Sequence, residues 1–339
     1  MSGSRDIFCT GFIADAPDQG TIFPSAGGNS ADPKVQAVYW RCLTVLFASA
    51  RITNPDQRLV LFSNVTPPVV DGLDLARILP ERYGVELRRV ALTARLAREL
   101  TPSWGNVLYF FDILASLGEE PDDTRLAVVD SDIVVTGSLA PLFASLDSHD
   151  YALYPVSTAD DENVNGLSPR QMGAIVGQIR PELGLAPITH FGGEMFACSL
   201  GTWRRDAAVF QRLLEDAGSG SGPAAAVRTE EHIYSIASRL LGVAVADAGA
   251  QLKRIWTSPR FSTVADGDEA LALWHLPAEK RYGFRDMFGA LARQGFPAAM
   301  DGAAFHALAR KLFGIPRKGL VKKTYDGIRQ VGAKLGLFG

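Results

Sequence analysis

The 339-residue sequence has little of what marks a disulfide scaffold, a zinc protein or a membrane protein. Its three cysteines, Cys9, Cys42 and Cys198, lie too far apart for any zinc or Cys-x-x-Cys spacing. They read as small buried apolar residues in a reducing compartment. No stretch approaches the ~18 uninterrupted apolar residues needed to cross a bilayer. The opening "MSGSRDIFCTGF" has no basic region leading into a long apolar run, so no secretory signal is expected and the chain reads as cytoplasmic. An excess of one charge is missing too. Lys and Arg number 34 against 37 Asp and Glu, and the net −3 gives no reason to expect nucleic acid. That balance hides an asymmetry: residues 311–339 hold seven Lys/Arg and one Asp, a net +6, which leaves −9 on the first 310.

What is present suits a globular enzyme. The chain is long enough for one large domain or two modest ones, and it shows no internal repeat. "DIFCTGFIA" (6–14), "RLVLFSN" (58–64) and "VELRRVAL" (85–92) read as strands. Asp32 and Pro33 form a cap and first-turn pair for a helix with Val35, Val38, Cys42, Val45 and Leu46 on one face. A second helix is expected from Pro102 and Ser103 to Gly118, leading into the strand "LAVV" at 126–129. Strands alternating with helices of about 15 residues predict an α/β protein with a mostly parallel, Rossmann-like central sheet and helices on both faces. Further on, "YALYPV" (151–156), "ITHFGGEMFACSL" (188–200) and "ALALWH" (270–275) read as strands. Ser168 and Pro169 are expected to open a helix reaching about Leu183, and Thr202 to cap the helix "WRRDAAVFQRLLEDAG". "STADDENVNG" and "GSGSGP" read as loops, the latter without a domain boundary.

The strand at 126–129 runs straight into Asp130-Ser131-Asp132. A buried, unpaired carboxylate costs several kcal/mol or stays protonated, so two of them at the end of a core strand need a purpose. Ligands of open parallel sheets sit beyond the carboxyl ends of the strands, and strand alternation turns residues 130 and 132 to the same side. Two hard oxygen donors there suit Mg²⁺ or Mn²⁺. The alternatives are helix caps, a turn, or surface charge.

"VVDSDIVVTGSLAPLF" resembles the metal motif of the family-8 glycosyltransferases, the glycogenin- and lipopolysaccharide-galactosyltransferase-like enzymes of the GT-A fold. That pattern runs from Asp-x-Asp through apolar residues and a Gly-(Ser/Asp)-Leu turn into a short helix, matched here by Gly137, Ser138, Leu139, Leu142 and Phe143. "HFGGEMFACSLGTWRR" is similar to the family's acceptor-side segment through Trp203 and Arg204, and "LWHLPAEKRYGF" to its late His…Lys segment. The resemblance covers roughly residues 6–285 and implies a nucleotide-sugar transferase. Its metal, Mn²⁺ or Mg²⁺, would be held by Asp130, Asp132 and His275, with Lys280 on the diphosphate. The nucleotide-sugar donor, a UDP-sugar by the same resemblance, would be met by Thr10, Gly11, Phe12, Asn106, Asp130, Ser131, Asp132, Gly192, Gly193, Lys280 and Gly283. The acceptor would be a glycan or another hydroxyl compound, and the linkage would be formed with retention.

The chain departs from the pattern at three places. The His-to-Lys spacing is one residue shorter, and "LYFFDIL" puts Asp112 or a phenylalanine where the family offers a cation to the diphosphate. Gly192, Gly193 and Glu194 stand in place of Asn-x-Gly. Two glycines inside a strand mark a bulge or a close approach. Glu194, Glu230 and Glu231 are the candidate catalytic residues at the sugar end; Glu230 and Glu231 read equally as an acidic first turn favoured by the helix dipole. A dehalogenase-type phosphatase would want Gly-Thr after the Asp-x-Asp. A sugar nucleotidylyltransferase would open with a Gly-rich loop carrying Arg and Lys. A GT-A-like protein that binds nucleotide or glycan without turnover is the remaining alternative.

By the same reading, residues 1–285 are the catalytic domain, with a donor half at about 1–150 and an acceptor half at 151–285. Residues 286–314 are a helical extension and 315–339 a basic tail. In the tail Val321, Tyr325, Ile328, Val331, Leu335 and Phe338 form one apolar stripe, with Lys322, Lys323, Arg329 and Lys334 mostly off it. Such a helix suits peripheral contact with an anionic membrane and a lipid-linked acceptor, or docking of the stripe on the acidic body.

Overall fold

The structure, a computed structural model, describes residues 5–15, 22–23, 28–96, 106–156, 158–258, 261–319 and 322–328. The first half runs β1 (Asp6–Phe12), a small hairpin β2 (Ile22–Phe23) and β3 (Gly28–Asn29), α1 (Pro33–Thr53), β4 (Arg58–Ser63), a second hairpin β5 (Val69–Val70) and β6 (Leu73–Asp74), α2 (Leu75–Tyr83) and β7 (Val85–Arg89). It continues through α3 (Tyr109–Ser116), β8 (Arg125–Val129), β9 (Ile133–Val135) and α4 (Ala140–Ser145). The second half holds β10 (Tyr151–Pro155), α5 (Pro169–Ile179), β11 (Phe191–Ser199), α6 (Leu200–Ser219), α7 (Glu230–Leu241) and β12 (Val245–Asp247). It closes with β13 (Leu252–Arg254), β14 (Leu273–His275), α8 (Gly283–Arg293) and α9 (Gly302–Phe313).

Seven strands form the central sheet in the order β12-β10-β11-β8-β1-β4-β7. β11 runs antiparallel to β8 and β10, and the other pairs are parallel. The expected α/β architecture with a mostly parallel sheet is met. Alternation along the strands splits the core in two. Phe8, Phe12, Leu59 and Leu61 face one apolar cluster with α1, α2, α8 and α9, while Ile7, Cys9, Val60 and Phe62 face another with α3, α5, α6 and α7. Cys9, Cys42 and Cys198 are free and fully buried, and burial pushes all three thiols up.

Local signals explain most element ends. Asp32 accepts from Lys34 N–H at 2.8 Å and starts α1, which buries Trp40, Leu43 and Phe47 besides the expected Cys42, Val45 and Leu46. That helix is covered on more than one face. α5 has the full capping box of Ser168 and Gln171 but stops at Ile179, because Pro181 disfavours a helical residue before it; a short 3₁₀ turn, Pro181–Leu183, follows. α6 starts directly off β11, so its cap is Ser199, whose hydroxyl accepts from Thr202 N–H at 3.0 Å; Thr202 is the capped residue and not the cap. α6 ends on Gly220 at φ 65°, and Ala224 and Val227 beyond it return to the same core, so no boundary falls there. The late strand is shorter than expected, only Leu273–His275, after a 3₁₀ turn at Asp268–Ala270. The helix expected from Pro102 and Ser103 is described only from Tyr109, its proposed start lying outside the described residues.

A second sheet, β13-β14-β9, stands at the end of the first. α8 and α9 join the α1 core through Phe284, Met287, Phe305 and Phe313. Residues 322–328 are helical; Val321 and everything beyond Ile328 lie outside the described residues.

Candidate active site

The two sheets meet at Asp130-Ser131-Asp132. The chain leaves the large sheet at Val129 and enters the small one at Ile133. β14 pairs antiparallel with β9 so that His275 lies opposite Ile133, and Leu276 N–H donates to Asp132 O at 3.0 Å. This register carries His275 to the aspartates. Its Nε2 is 3.3 Å from Asp130 Oδ2 and 3.2 Å from Asp132 Oδ2. The three side chains offer one nitrogen and two oxygen ligand atoms, all within 4.8 Å of one another. Asp132 and His275 are buried, whereas Asp130 keeps 42% of its side-chain exposure and opens into a cavity of about 300 Å³ beyond the ends of β1 and β8.

The charges of this cluster are set against each other. Burial would raise Asp132, but Lys280, whose Nζ contacts Oδ2, and His275 outweigh it and hold the carboxyl well below the usual range. Asp130 is pushed up to about 6 by its withdrawal from bulk water and by the Asp132 charge. Burial alone would lower His275, yet Asp132, Glu194 and Asp130 raise it to about 9. The imidazole is thus surrounded by three carboxylates, Asp130, Asp132 and Glu194. Two carboxylates and an imidazole are a donor set that fits Mn²⁺ or Mg²⁺.

Glu194 is fully buried, packs beside His275 and also lines the cavity. Its Oε1 lies 3.4 Å from His275 Nδ1 and accepts from Arg254 Nε. Burial opposes ionisation, but His275 and Arg254 pull Glu194 down to about 2. Arg254 ends β13, in register with His275 of β14, and lines the cavity. Sequence reasoning misses it, because a lone Arg in "QLKRIW" has no motif; only the strand register reveals it. Asp112, by contrast, faces away from the cavity and holds the 93–94 segment through Thr93 N–H (3.0 Å) and Ala94 N–H (3.2 Å).

Glu230 and Glu231 share the first turn of α7, but their surroundings push their pKa values in opposite directions. Both line the cavity; Glu231 is buried, while Glu230 is partly exposed. Glu231 accepts from Asn165 Nδ2 at 2.5 Å and Thr229 Oγ1 at 3.3 Å, with His190 Nε2 at 3.6 Å. Although burial works against it, these partners, His190 first, hold Glu231 ionised. Glu230 has an unpartnered Oε2, and burial followed by the charges of Glu231 and Asp130 raises it well above the carboxylate range. His190, Glu231 and His232 also cluster within metal-ligand distance. His232, however, accepts Arg228 N–H on Nδ1 at 3.2 Å and so donates Nε2 to Val164 O at 2.9 Å, which removes it as a ligand.

The glycines mark close approaches of carboxylates. A Cβ on Gly192 would stand 2.0 Å from Glu194 Oε2, and one on Gly193 2.2 Å from Glu230 Oε1. A Cβ on Gly11 would meet the Tyr109 ring at 2.4 Å. Gly11, Phe12, Asn106, Ser131, Gly193 and Lys280 line the cavity with the acidic residues. Thr10, Gly192 and Gly283 are not on its wall: Thr10 is buried within β1, Gly192 lies behind Glu194, and Gly283 N–H donates to Glu279 at 3.0 Å.

No family model matches the chain, and no curated protein does. Among solved structures it is similar to the galactosyltransferase LgtC in complex with donor and acceptor sugar analogs, at 15% identity over 91% of this chain and 97% of that one, TM-score 0.45. It is similar to an active-site mutant of LgtC at 13% identity over 85% and 95%, TM-score 0.47. Mouse xyloside xylosyltransferase 1 is 9% identical over 80% and 97%, TM-score 0.45.

Proposed function

We propose that the protein is a divalent-metal-dependent glycosyltransferase of the GT-A type. It would move a hexosyl unit from a nucleotide-diphosphate sugar, first of all a UDP-sugar, to a hydroxyl of a glycan or lipid-linked saccharide. The observation that carries this reading is the meeting of Asp130, Asp132 and His275 on one point of the cavity wall, with the Lys280 ammonium beside them. Departure of a nucleoside diphosphate leaves negative charge, and a bound Mn²⁺ or Mg²⁺ supplies the Lewis acid that stabilises it. Asp130, Asp132 and His275 would hold that ion. Lys280 and Arg254 add fixed positive charge at the same end, Arg254 in place of the cation that the "LYFFDIL" helix does not offer.

The remaining roles follow from position. Glu194 orients His275 through Nδ1 and belongs to the metal side of the site. Glu231, ionised and held by Asn165 and His190, faces developing positive charge on the sugar. Glu230, whose Oε2 has no partner, would hydrogen-bond a donor or acceptor hydroxyl. Residues of about 1–150 would hold the donor and 151–285 the acceptor, with retention as the expected stereochemistry. Exposed Tyr325 (47%) and Ile328 (58%) support membrane contact by the tail.

A thermal-shift screen of nucleotide sugars with and without Mn²⁺ tests the binding claim, because a ligand of the native state raises its stability by mass action. Release of UDP with and without saccharide acceptors tests turnover, and NMR of the new linkage its stereochemistry. Absence of any Mn²⁺-dependent shift across UDP-, GDP- and dTDP-sugars would refute the reading.

A further inference from the structure

The turn that presents Lys280 is fastened by the C-terminal segment. Glu279 ends the short 3₁₀ turn Pro277–Glu279, immediately before Lys280, and is 1% exposed. Its carboxylate accepts from Thr257 Oγ1 at 2.5 Å and Gly283 N–H at 3.0 Å, both on the body of the protein. It also meets Lys322 Nζ at 3.0 Å and Lys318 Nζ at 3.1 Å, both from beyond α9. The same two ammonium groups lie 2.7 Å (Lys318) and 3.2 Å (Lys322) from Asp326, itself 3% exposed. Two lysines thus bridge two buried carboxylates, one on the tail and one on the turn. Gly314 makes the return possible: its φ is +74°, and a Cβ there would lie 2.5 Å from Lys318 Cγ.

The described part of the tail helix turns charged side chains toward the protein. Lys322 and Asp326 face the protein, Ile328 is 58% exposed, and Tyr325, half exposed, borders a surface pocket with Arg285 and Phe288 of α8. A cluster of four charged groups fastens the helix. Exposed pairs are weak, but a charge in a buried, mutually neutralising cluster cannot lose its partner cheaply, since the other is left unpaired out of water. Each oxygen of Glu279 is therefore shared between body and tail, Oε1 by Thr257 and Lys318 and Oε2 by Gly283 and Lys322. On the far side of the turn, Lys280 reaches Asp132.

We propose that the C-terminal segment clasps the diphosphate-binding turn: Lys318 and Lys322, acting through Glu279, are positioning residues for Lys280. The inference rests on the reading of Lys280 as a diphosphate contact; the clasp itself is read separately. The test uses the full-length chain, with calorimetry of UDP in excess Mn²⁺, calorimetry of Mn²⁺ alone, and hydrogen exchange of residues 276–282. In Lys318→Met/Lys322→Met, UDP affinity with Mn²⁺ is expected to fall about tenfold, Mn²⁺ affinity to stay within about twofold, and exchange to accelerate at 276–282 before the central sheet. On a Lys280→Ala background the same pair of substitutions is expected to add nothing to the loss of UDP affinity. The single variant Lys322→Arg, which keeps the charge, should bind UDP as the wild type does, and it serves if the double variant fails to fold.

Unchanged UDP affinity in the folded double variant overturns the proposal, as does an equal further loss without Lys280 or for Lys322→Arg. If the wild type binds no UDP with Mn²⁺, the functional reading of Lys280 fails. Exchange then decides the clasp alone: acceleration confined to 276–282 upholds it, and unchanged exchange there refutes it.

Discussion

Glu194 Oε1 lies 3.4 Å from His275 Nδ1, on the edge of the ring opposite the nitrogen that faces Asp130 and Asp132. A carboxylate behind a metal-ligating histidine fixes ring and tautomer and makes the ligand more basic, and losing it costs about 10–100-fold in metal affinity. Glu194→Gln keeps the volume and removes the charge. It is expected to weaken Mn²⁺ binding by about that factor, measured by calorimetry or by the electron-spin signal of free Mn²⁺, with the fold retained. Unchanged Mn²⁺ affinity together with lost transfer would move Glu194 back to the sugar end.

Asp132 is the centre of the charge cluster, meeting His275 Nε2 at 3.2 Å and contacting the Lys280 ammonium. Asp132→Asn should lower Mn²⁺-dependent UDP affinity by at least about 100-fold. It should also destabilise the metal-free protein by roughly 3 kcal/mol, because two buried cationic groups lose their shared counter-charge. Denaturant unfolding in EDTA checks the second effect without any nucleotide. A variant as stable as the wild type would mean that His275 and Lys280 are not both charged.

Much of this arrangement was legible before the structure. The strands at 6–12, 58–63, 85–89 and 125–129 follow apolar runs bounded by turn residues, and Asp130-Ser131-Asp132 stands where a parallel sheet presents ligands. Local pattern was enough there. It failed where geometry depends on non-local pairing. β13 and β14 are three residues each, too short for periodicity, and only their register sets Arg254 beside His275. The glycines at 192 and 193 announced a close approach, but not that it was by Glu194 and Glu230. The tail's apolar spacing left membrane contact and docking on the body both open, and it could not show that Lys318 and Lys322 meet Glu279, because that partner sits on a turn far away in sequence.

Acid stability should depend on the edge of the sheet. Glu120 accepts from Arg58 and Arg88, each at 2.8 Å, and the Arg58 hydrogen bond leads the effects that hold it down at about 2. Because its folded pKa lies below the unfolded value of about 4.3, its contribution is present above that pH and lost as the pH falls toward 2. The groups are partly exposed, so the pair contributes no more than about 1 kcal/mol at neutral pH. Glu120→Gln should lower thermal stability slightly at pH 7 and flatten the loss between about pH 4 and pH 2. A melting-temperature series across that window measures it, and parallel curves for both proteins would reject the assignment.

Glu230 and Glu231 offer the sharpest separation of roles. Glu231 accepts from Asn165 and Thr229 with His190 nearby, so Glu231→Gln risks placing its amide against the Asn165 donor and should lower both stability and transfer. Glu230 has an unpartnered Oε2 and its pKa is pushed up, so removing its charge breaks no ion pair; Glu230→Gln should fold with undiminished stability, so that any loss of transfer reports chemistry alone. Gly193→Ala gives an independent handle. Its Cβ would lie 2.2 Å from Glu230 Oε1, and Glu230 must move to admit it, while Asp130, Asp132 and His275 stay in place. UDP affinity with Mn²⁺ should then change less than about threefold while turnover falls at least tenfold, the pattern of an interaction made only in the transition state. A matching fall in UDP affinity would instead place Glu230 on the donor's diphosphate side.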